Sequence, residues 1–312
     1  MSLRVMVTGA SGFVGQALCE ECTQRGHEVV AALRTAQAFG GLATPVVVGD
    51  IADQAEWREA LQRIDVIVHL AARTSTSREE GDDALLAFRR VNTEATIALA
   101  RQAAQAGVKR FVFLSSAKVN GELTLPGRAF TPDDEPAPED AYGISKLEAE
   151  RALQNLCLET GMEFVVIRPP LVYGPGVRGN FQAMVRVMQR GVPLPLGAID
   201  NRRSLVALDN LIDLIMTCLV HPAAANQIFM VADGEDVSTS TLLRKVAAAY
   251  GLPARLIPVP AGLLRFCATV LGKRAAADRL LGSLVVDASK TRAMLGWTPV
   301  VSMDEQLKKM AR

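Results

Sequence analysis

Tyr142-Gly143-Ile144-Ser145-Lys146 sets a phenol and an ammonium four residues apart, a spacing that shares one face of a helix. A cation held beside a phenol favours the phenolate, so the pair predicts a tyrosine whose pKa is lowered toward neutrality. Such a group can act as general acid–base at a hydroxyl being oxidised or a carbonyl being reduced. By itself the pair also describes an ordinary helix surface. Ser115-Ser116 gives it context, because both serines follow the apolar run 110–114, and in parallel sheets ligands gather beyond strand C-termini. A hydroxyl there can hydrogen-bond the substrate oxygen that exchanges its proton with Tyr142.

A second group of residues would bind rather than react. Residues 3–7 are rich in β-formers, Thr8-Gly9-Ala10-Ser11-Gly12-Phe13-Val14-Gly15 turns, and a helix continues from Gln16. A buried strand that passes through a glycine loop into a helix offers unpaired N–H groups and a partial positive charge to an anion. Glycine lets the turn close and lets backbone approach a pyrophosphate. The spacing is G-x-x-G-x-x-G rather than G-x-G-x-x-G, and its place directly after the first strand points to a dinucleotide. NAD binders usually put an acid at the end of the second strand for the ribose 2′-OH, whereas arginine accommodates the 2′-phosphate of NADP. Leu33-Arg34 stands there, so Arg34 points toward NADP(H).

These groups need a scaffold that collects strand ends. Strand patterns fall at 27–33, 46–48, 65–72, 110–114 and 164–168, and helical patterns at about 54–62, 84–106 and 142–159. Their alternation predicts an α/β fold, a doubly wound parallel Rossmann sheet. Residues 1–170 are read as the NAD(P)-binding domain, with a return contribution from about 200–232 where 228–231 can rejoin the sheet. Residues 171–312 are read as a smaller, mostly helical substrate-binding lobe, with helices near 180–190 and 209–220. Ser302-Met303-Asp304-Glu305 is a capping box that opens the last helix. The proline-rich segment 126–138 is expected as a surface loop over the sheet's C-terminal edge.

Composition narrows the function classes. The 312 residues are 49% hydrophobic and 21% charged, with a net charge of +1, which gives no field to attract nucleic acid or an anionic membrane. No apolar run reaches membrane-spanning length, and the chain opens on a strand without a signal-peptide layout, so a cytoplasmic protein with no membrane partner is expected. Five cysteines, an odd number, argue against a disulfide framework. Cys19-Glu20-Glu21-Cys22 lies within the first helix rather than at its start, where a thiolate would be stabilised, and is read as chance spacing. His27, His69 and His221 have no ligand spacing, so no metal is expected.

The glycine loop, Phe113-Leu114-Ser115-Ser116 and Tyr142…Lys146 together resemble the extended short-chain dehydrogenase/reductase family. The likeness is to its NAD-dependent epimerase/dehydratase branch of the UDP-glucose 4-epimerase type. Further similar pieces are Gly49-Asp50-Ile51, His69-Leu70-Ala71-Ala72, Val91-Asn92, the run 168–176 and the run 202–209, so the likeness spans essentially the whole chain in order. It implies that Tyr142 is the base and that Lys146 tunes it and holds the nicotinamide ribose. Ser116 falls on the catalytic serine position, with Ser115 as the fallback. Gly9, Ser11, Gly12, Phe13, Val14 and Gly15 would hold the dinucleotide, Asp50 and Ile51 would flank the adenine, and Leu70, Ala71 and Ala72 would line the middle. Asn92, Pro169 and Val172 are implied as further cofactor positions, Asn180 as a sugar-nucleotide contact, and Arg202 as the grip on the diphosphate.

Two activities are implied, and both use a UDP-sugar as substrate. In a 4-epimerase, Tyr142 takes the C4 hydroxyl proton as hydride passes to NAD, the keto sugar rotates, and hydride returns to its other face. An NADPH-dependent 4-ketoreductase of a UDP-4-keto-6-deoxy sugar, in surface-polysaccharide synthesis, runs half that cycle. Ala117-Lys118 replaces the Asp-Glu pair of the dehydratases, which argues against that activity. Val119-Asn120-Gly121 departs from the family's Val-Tyr-Gly, so substrate packing there should differ. A non-catalytic dinucleotide sensor of the same fold typically lacks the Tyr or the Lys, and both are present. The family pattern further implies a homodimer built on the helices at 84–106 and 142–159.

Overall fold

Strands made of consecutive Val, Ile and Phe are satisfied only when both faces of the sheet are covered. In the computed structural model, which describes residues 2–36, 43–53, 55–74 and 82–312, nine such segments form strands. They are β1 (Arg4–Thr8), β2 (Glu28–Leu33), β3 (Thr44–Val47), β4 (Val66–His69), β5 (Arg110–Leu114), β6 (Glu163–Arg168), β7 (Leu171–Tyr173), β8 (Leu205–Ala207) and β9 (Gln227–Met230). Seven of them make one sheet in the order β3-β2-β1-β4-β5-β6-β9, and β7 pairs with β8 in a second. Neighbouring strands run parallel throughout. The order reverses between β1 and β4, the crevice where doubly wound sheets bind ligands.

The crossovers are α1 (Phe13–Gln24), α2 (Asp82–Arg89), α3 (Ala95–Gln105) and α4 (Ala141–Thr160). After β7 come α5 (Asn180–Gln189), α6 (Leu208–Val220), α7 (Thr239–Ala249), α8 (Ala261–Val270), α9 (Arg274–Leu281), α10 (Ser289–Leu295) and α11 (Met303–Met310). Side chains alternate across each strand, and the two faces are filled from different sources. Val5, Val7, Val112 and Ile167 meet Leu18 of α1 and Ile215 of α6. Met6, Phe111, Phe113 and Val166 meet Leu99 of α3 and Leu153 of α4. The return near 200–232 is present: β9 extends the sheet beside β6 and α6 covers one face. Leu295 and Trp297 also join that face, and Trp297 Nε1 donates to Asp213 of α6 at 3.0 Å, so the chain's last fifth is partly Rossmann core.

Two expectations are corrected. The helix expected at 84–106 is interrupted by a π-helical turn at Arg90–Glu94 between α2 and α3. The pattern at 54–62 forms turns at 58–63 instead of a helix, with Gln54 outside the described residues. Trp57 gives its backbone N–H to Gln102 Oε1 at 2.9 Å, and Arg63 is left-handed with φ 59°, which curls the segment beneath α3. The segment 126–138 is a largely exposed loop, as expected; Phe130 within it bridges Val286 and gives its N–H to the Val285 carbonyl at 2.8 Å, which ties it to the C-terminal lobe. The capping box on α11 forms as expected, with Ser302 and Glu305 each bonding the other's backbone.

Candidate active site

The glycine loop is shaped by contacts that leave no room for a side chain. Gly9 has φ +65°, and a Cβ there would lie 2.8 Å from Ala71 N. At Gly15 a Cβ would lie 2.2 Å from the Gly9 carbonyl oxygen, inside the first turn of α1. Gly12 caps that helix with no side-chain hydrogen bond, and no acid occupies its first turn. The first-turn N–H groups are therefore open to an outside acceptor, with the helix dipole favouring an anion. A pyrophosphate fits this donor set and this closeness of backbone. Ser11 is exposed, and Phe13 and Val14 are half-buried beside the loop.

Beyond β5 the two serines part company, because successive side chains point to opposite sides of an extended chain. Ser116 faces Tyr142 closely enough to lower the phenol's pKa, and its Oγ accepts the Lys118 N–H at 3.2 Å. Ser115 is buried and bonded to the Glu150 carboxylate. Asp140 starts α4 by accepting the Gly143 N–H at 2.7 Å. Tyr142 then packs edge-on against Phe88 of α2, ring centroids 6.0 Å apart.

Lys146 does share the face but does not touch the phenol. Its Nζ donates to the Leu114 carbonyl at 2.9 Å and sits 4.4 Å from the centre of the Phe113 ring. The expected lowering of the tyrosine is therefore absent here. Burial pushes the Tyr142 phenol up to about 12, the Asp140 charge adds to the rise, and only the Ser116 hydroxyl opposes it. Burial brings Lys146 down to about 7, against the pull of the Glu150 charge.

Glu150 was not singled out in the sequence, although it lies four residues after Lys146 and so on the same helix face. It is fully buried, and Arg168 from the end of β6 chelates it at 3.0 and 2.5 Å. Asn120, the departure from Val-Tyr-Gly, accepts from Arg168 at 3.0 Å and donates to the Thr131 carbonyl at 2.9 Å. The residue that breaks the pattern thus caps a buried ion pair.

Asn92 has a structural tie of its own. It is completely buried in the π turn. Its amide accepts the Arg73 N–H at 2.8 Å and donates to the Arg73 carbonyl at 3.0 Å and to Ser145 Oγ at 3.0 Å. Through these bonds Asn92 ties Arg73 to Ser145 of α4. His69 makes a second such tie. Thr96 spends its hydroxyl proton on the Asn92 carbonyl, 2.7 Å away, so it must accept from His69 Nε2 at 2.9 Å. That leaves Nδ1 to accept from Thr8 at 2.8 Å, and Thr8 in turn accepts the Ala71 N–H at 3.3 Å. Burial and the Lys146 charge hold His69 down at about 3, so it is neutral.

Arg34 is exposed just after β2, and Asp50 is exposed in a turn where it accepts the Ala52 N–H at 3.0 Å. Ile51, Leu70, Ala71, Ala72 and Val172 are half-buried, and Pro169 is buried with its carbonyl bonded to the Ala117 N–H at 2.9 Å. Asn180 is exposed in the first turn of α5. Arg202 is exposed too, on a strap held by Ser283 Oγ at 3.0 Å and Leu284 N at 2.9 Å. Cys19 and Cys22 are buried, and burial pushes both thiols up to about 12, the reverse of what a redox pair requires.

A switch-point glycine loop opposite a Tyr–Lys–Ser cluster defines a dinucleotide-dependent oxidoreductase-type enzyme on a Rossmann sheet. A model of the NAD dependent epimerase/dehydratase family matches residues 5–232, and the chain belongs to that family. UDP-glucose 4-epimerase of Vibrio cholerae is 44% identical over 315 residues, covering 100% of this chain and 95% of its own. N-acetyl-alpha-D-glucosaminyl-diphospho-ditrans,octacis-undecaprenol 4-epimerase of Escherichia coli O157:H7 is 27% identical, covering 88% of this chain and 81% of its own. Among solved structures, MoeE5 in complex with UDP-glucose and NAD superposes with a TM-score of 0.79 at 25% identity, covering 99% of this chain and 97% of that one.

Proposed function

We propose that this chain is an NAD(P)-dependent 4-epimerase of a UDP-hexose or UDP-N-acetylhexosamine. The observation that carries the reading is the Ser116–Tyr142 hydroxyl pair beside Lys146, in a chain 44% identical over its full length to a UDP-glucose 4-epimerase. The loop from Gly9 to Gly15 would hold the pyrophosphate, and Lys146 the nicotinamide ribose. The dinucleotide supplies a reversible hydride acceptor for C4. Tyr142 removes the C4 hydroxyl proton and later returns it, and Ser116 holds the same oxygen in line. Taking that proton requires positive charge near the phenol, and protonated Lys146 is the chain's contribution to it. Arg202 would bind the diphosphate, and Asn180 the sugar side.

Tyr142→Phe is expected to lower turnover by roughly 10²–10⁴-fold, the usual share of a general acid–base, with cofactor affinity unchanged in a fluorescence titration. Equal loss of both would make Tyr142 a structural residue.

A second reading, the NADPH-dependent 4-ketoreductase of a UDP-4-keto-6-deoxy sugar in surface-polysaccharide synthesis, is favoured by one observation. Arg34 stands where NAD binders carry an acid. Denaturing fresh protein and weighing the released nucleotide separates the two: near-stoichiometric NAD supports the epimerase, and an empty site that prefers NADPH supports the reductase. Arg34→Ala should weaken NADP much more than NAD, and an unchanged preference removes the 2′-phosphate role. The reading includes a cytoplasmic homodimer through α2–α3 and α4, where Leu86 and, further along α4, Leu158 are exposed and Arg89 pairs with Glu148 at 2.6 Å.

A further inference from the structure

Helix α8 departs from the rule that an apolar helix is a buried one. Its sequence is AGLLRFCATV, and none of its residues is buried. Leu263, Phe266 and Val270 recur at i, i+3 and i+7, so they share one face, and they are 54%, 67% and 71% exposed. Leu271, at the turn into α9, is 71% exposed as well. An apolar stripe left in water is uncommon on a soluble surface and marks something that covers it.

The charge around the stripe says what covers it. Residues 261–282 contain Arg265, Lys273, Arg274 and Arg279 against the single acid Asp278. Four cations less one anion is +3, against +1 for the whole chain, so the rest of the molecule is net negative. Past Gly272, Lys273 and Arg274 follow Val270 and Leu271 at the turn of the hairpin, with Arg274 3.6 Å from the Asp278 carboxylate. An apolar face edged by cations is the pattern of a helix lying in the interface of an anionic bilayer, where apolar burial and headgroup attraction add. Ten residues span about 15 Å, too short to cross, and no helix of the described residues is long and apolar enough to do so.

We propose that the α8–α9 hairpin docks the enzyme peripherally on an anionic membrane surface. The expectation of no membrane partner rested on net charge and on spanning runs, neither of which reads a local patch. The hairpin is rooted on the strap that carries Arg202. Arg203 Nη1 donates to the Arg279 carbonyl at 2.7 Å, and Asn201 Nδ2 donates to the Gly282 carbonyl at 2.8 Å. Docking therefore holds the side of the lobe that bears Arg202 close to the headgroups, where a sugar diphosphate made or used at the membrane would be exchanged.

The test is flotation of the full chain with vesicles of phosphatidylcholine alone and of phosphatidylcholine mixed with phosphatidylglycerol. Binding is expected to the mixed vesicles and to weaken with added salt. The double variant Phe266→Glu, Val270→Glu should lose roughly tenfold or more of that partition, while UDP-sugar turnover and melting temperature stay as in the parent. Lys273→Glu with Arg274→Glu reads the charge contribution separately, without touching the apolar face. The proposal is overturned by a chain that stays in solution with both vesicles, or by variants that float as well as the parent. It is also overturned if Phe266→Glu, Val270→Glu splits an oligomer in sedimentation velocity, which would mean that a second copy covers the face. Turnover is read in the same samples, so loss of docking is distinguishable from failure of the proposed reaction.

Discussion

The ground beneath the glycine loop and the α8–α9 hairpin treat water in opposite ways. Under the loop, polar groups are taken out of water altogether: Thr8, His69, Thr96, Asn92 and Ser145 form one bonded series running from β1 through β4 and α3 to α4. In the hairpin, apolar groups are left in water. Buried polar atoms cost free energy unless partnered, so the first region tolerates only its own geometry and holds the strand ends at fixed separations. Exposed apolar area costs roughly 25 cal/mol per Å² unless something covers it, so the second region is kept for a contact outside the fold. Rigidity is concentrated where hydride and proton positions matter, and spare surface where a partner would arrive.

The largest expected effect contrasts two phenylalanines. Phe111 in β5 is fully buried, whereas Phe266 in α8 is 67% exposed. Phe111→Ala should cost about 3–5 kcal/mol, the range for a core phenylalanine. Phe266→Ala should stay within about 0.5 kcal/mol. Urea unfolding of both variants measures the contrast directly. A costly Phe266→Ala would mean that α8 is packed in solution, and the distinction between the regions would fail.

A smaller effect is expected from one methyl group in the loop. The Cβ of Gly15→Ala would meet the Gly9 carbonyl and the Ala10 backbone, neither of which can rotate away as a side chain does. Overpacking of this kind costs about 1–3 kcal/mol, and it opens the turn that the pyrophosphate needs. Calorimetry should therefore find dinucleotide binding lost together with a modest drop in melting temperature. Full binding affinity in the variant would show that the loop yields.

These residues also mark what the sequence could disclose. The sheet was legible because both of its faces are covered, so 65–72 and 110–114 read as apolar runs, and the glycine loop was legible because its spacing is local. Ser116 was ranked ahead of Ser115 only by the family resemblance, since which one faces Tyr142 depends on how the chain leaves β5. The Tyr142–Lys146 spacing was read as contact, yet four residues on a helix give only a shared face, and the Lys146 ammonium turned to the Leu114 carbonyl. Asn92 belonged to a recognisable piece, but its direction comes from a π turn that no residue type announces. Glu150, Arg168 and Asn120 meet only through tertiary contact, so the substitution at Asn120 looked like a change in substrate packing.

His69 offers the finest test of the closed region. Its folded pKa lies at about 3 against an ordinary 6.5, because burial and the Lys146 charge disfavour the imidazolium. Between those values the unfolded chain binds a proton that the folded one refuses, so stability is complete above 6.5 and declines as pH falls. The loss attributable to this one group should reach about 2 kcal/mol near pH 5, at about 1.4 kcal/mol per unit. His69→Gln removes the titration and should flatten the acid limb of a melting-temperature profile by that much, at the cost of a lower plateau at neutral pH because the bonds to Thr8 and Thr96 change. If parent and variant fall in parallel between pH 6.5 and 5, the imidazole is protonated at no penalty. The region beneath the loop would then be as open to water as the hairpin is.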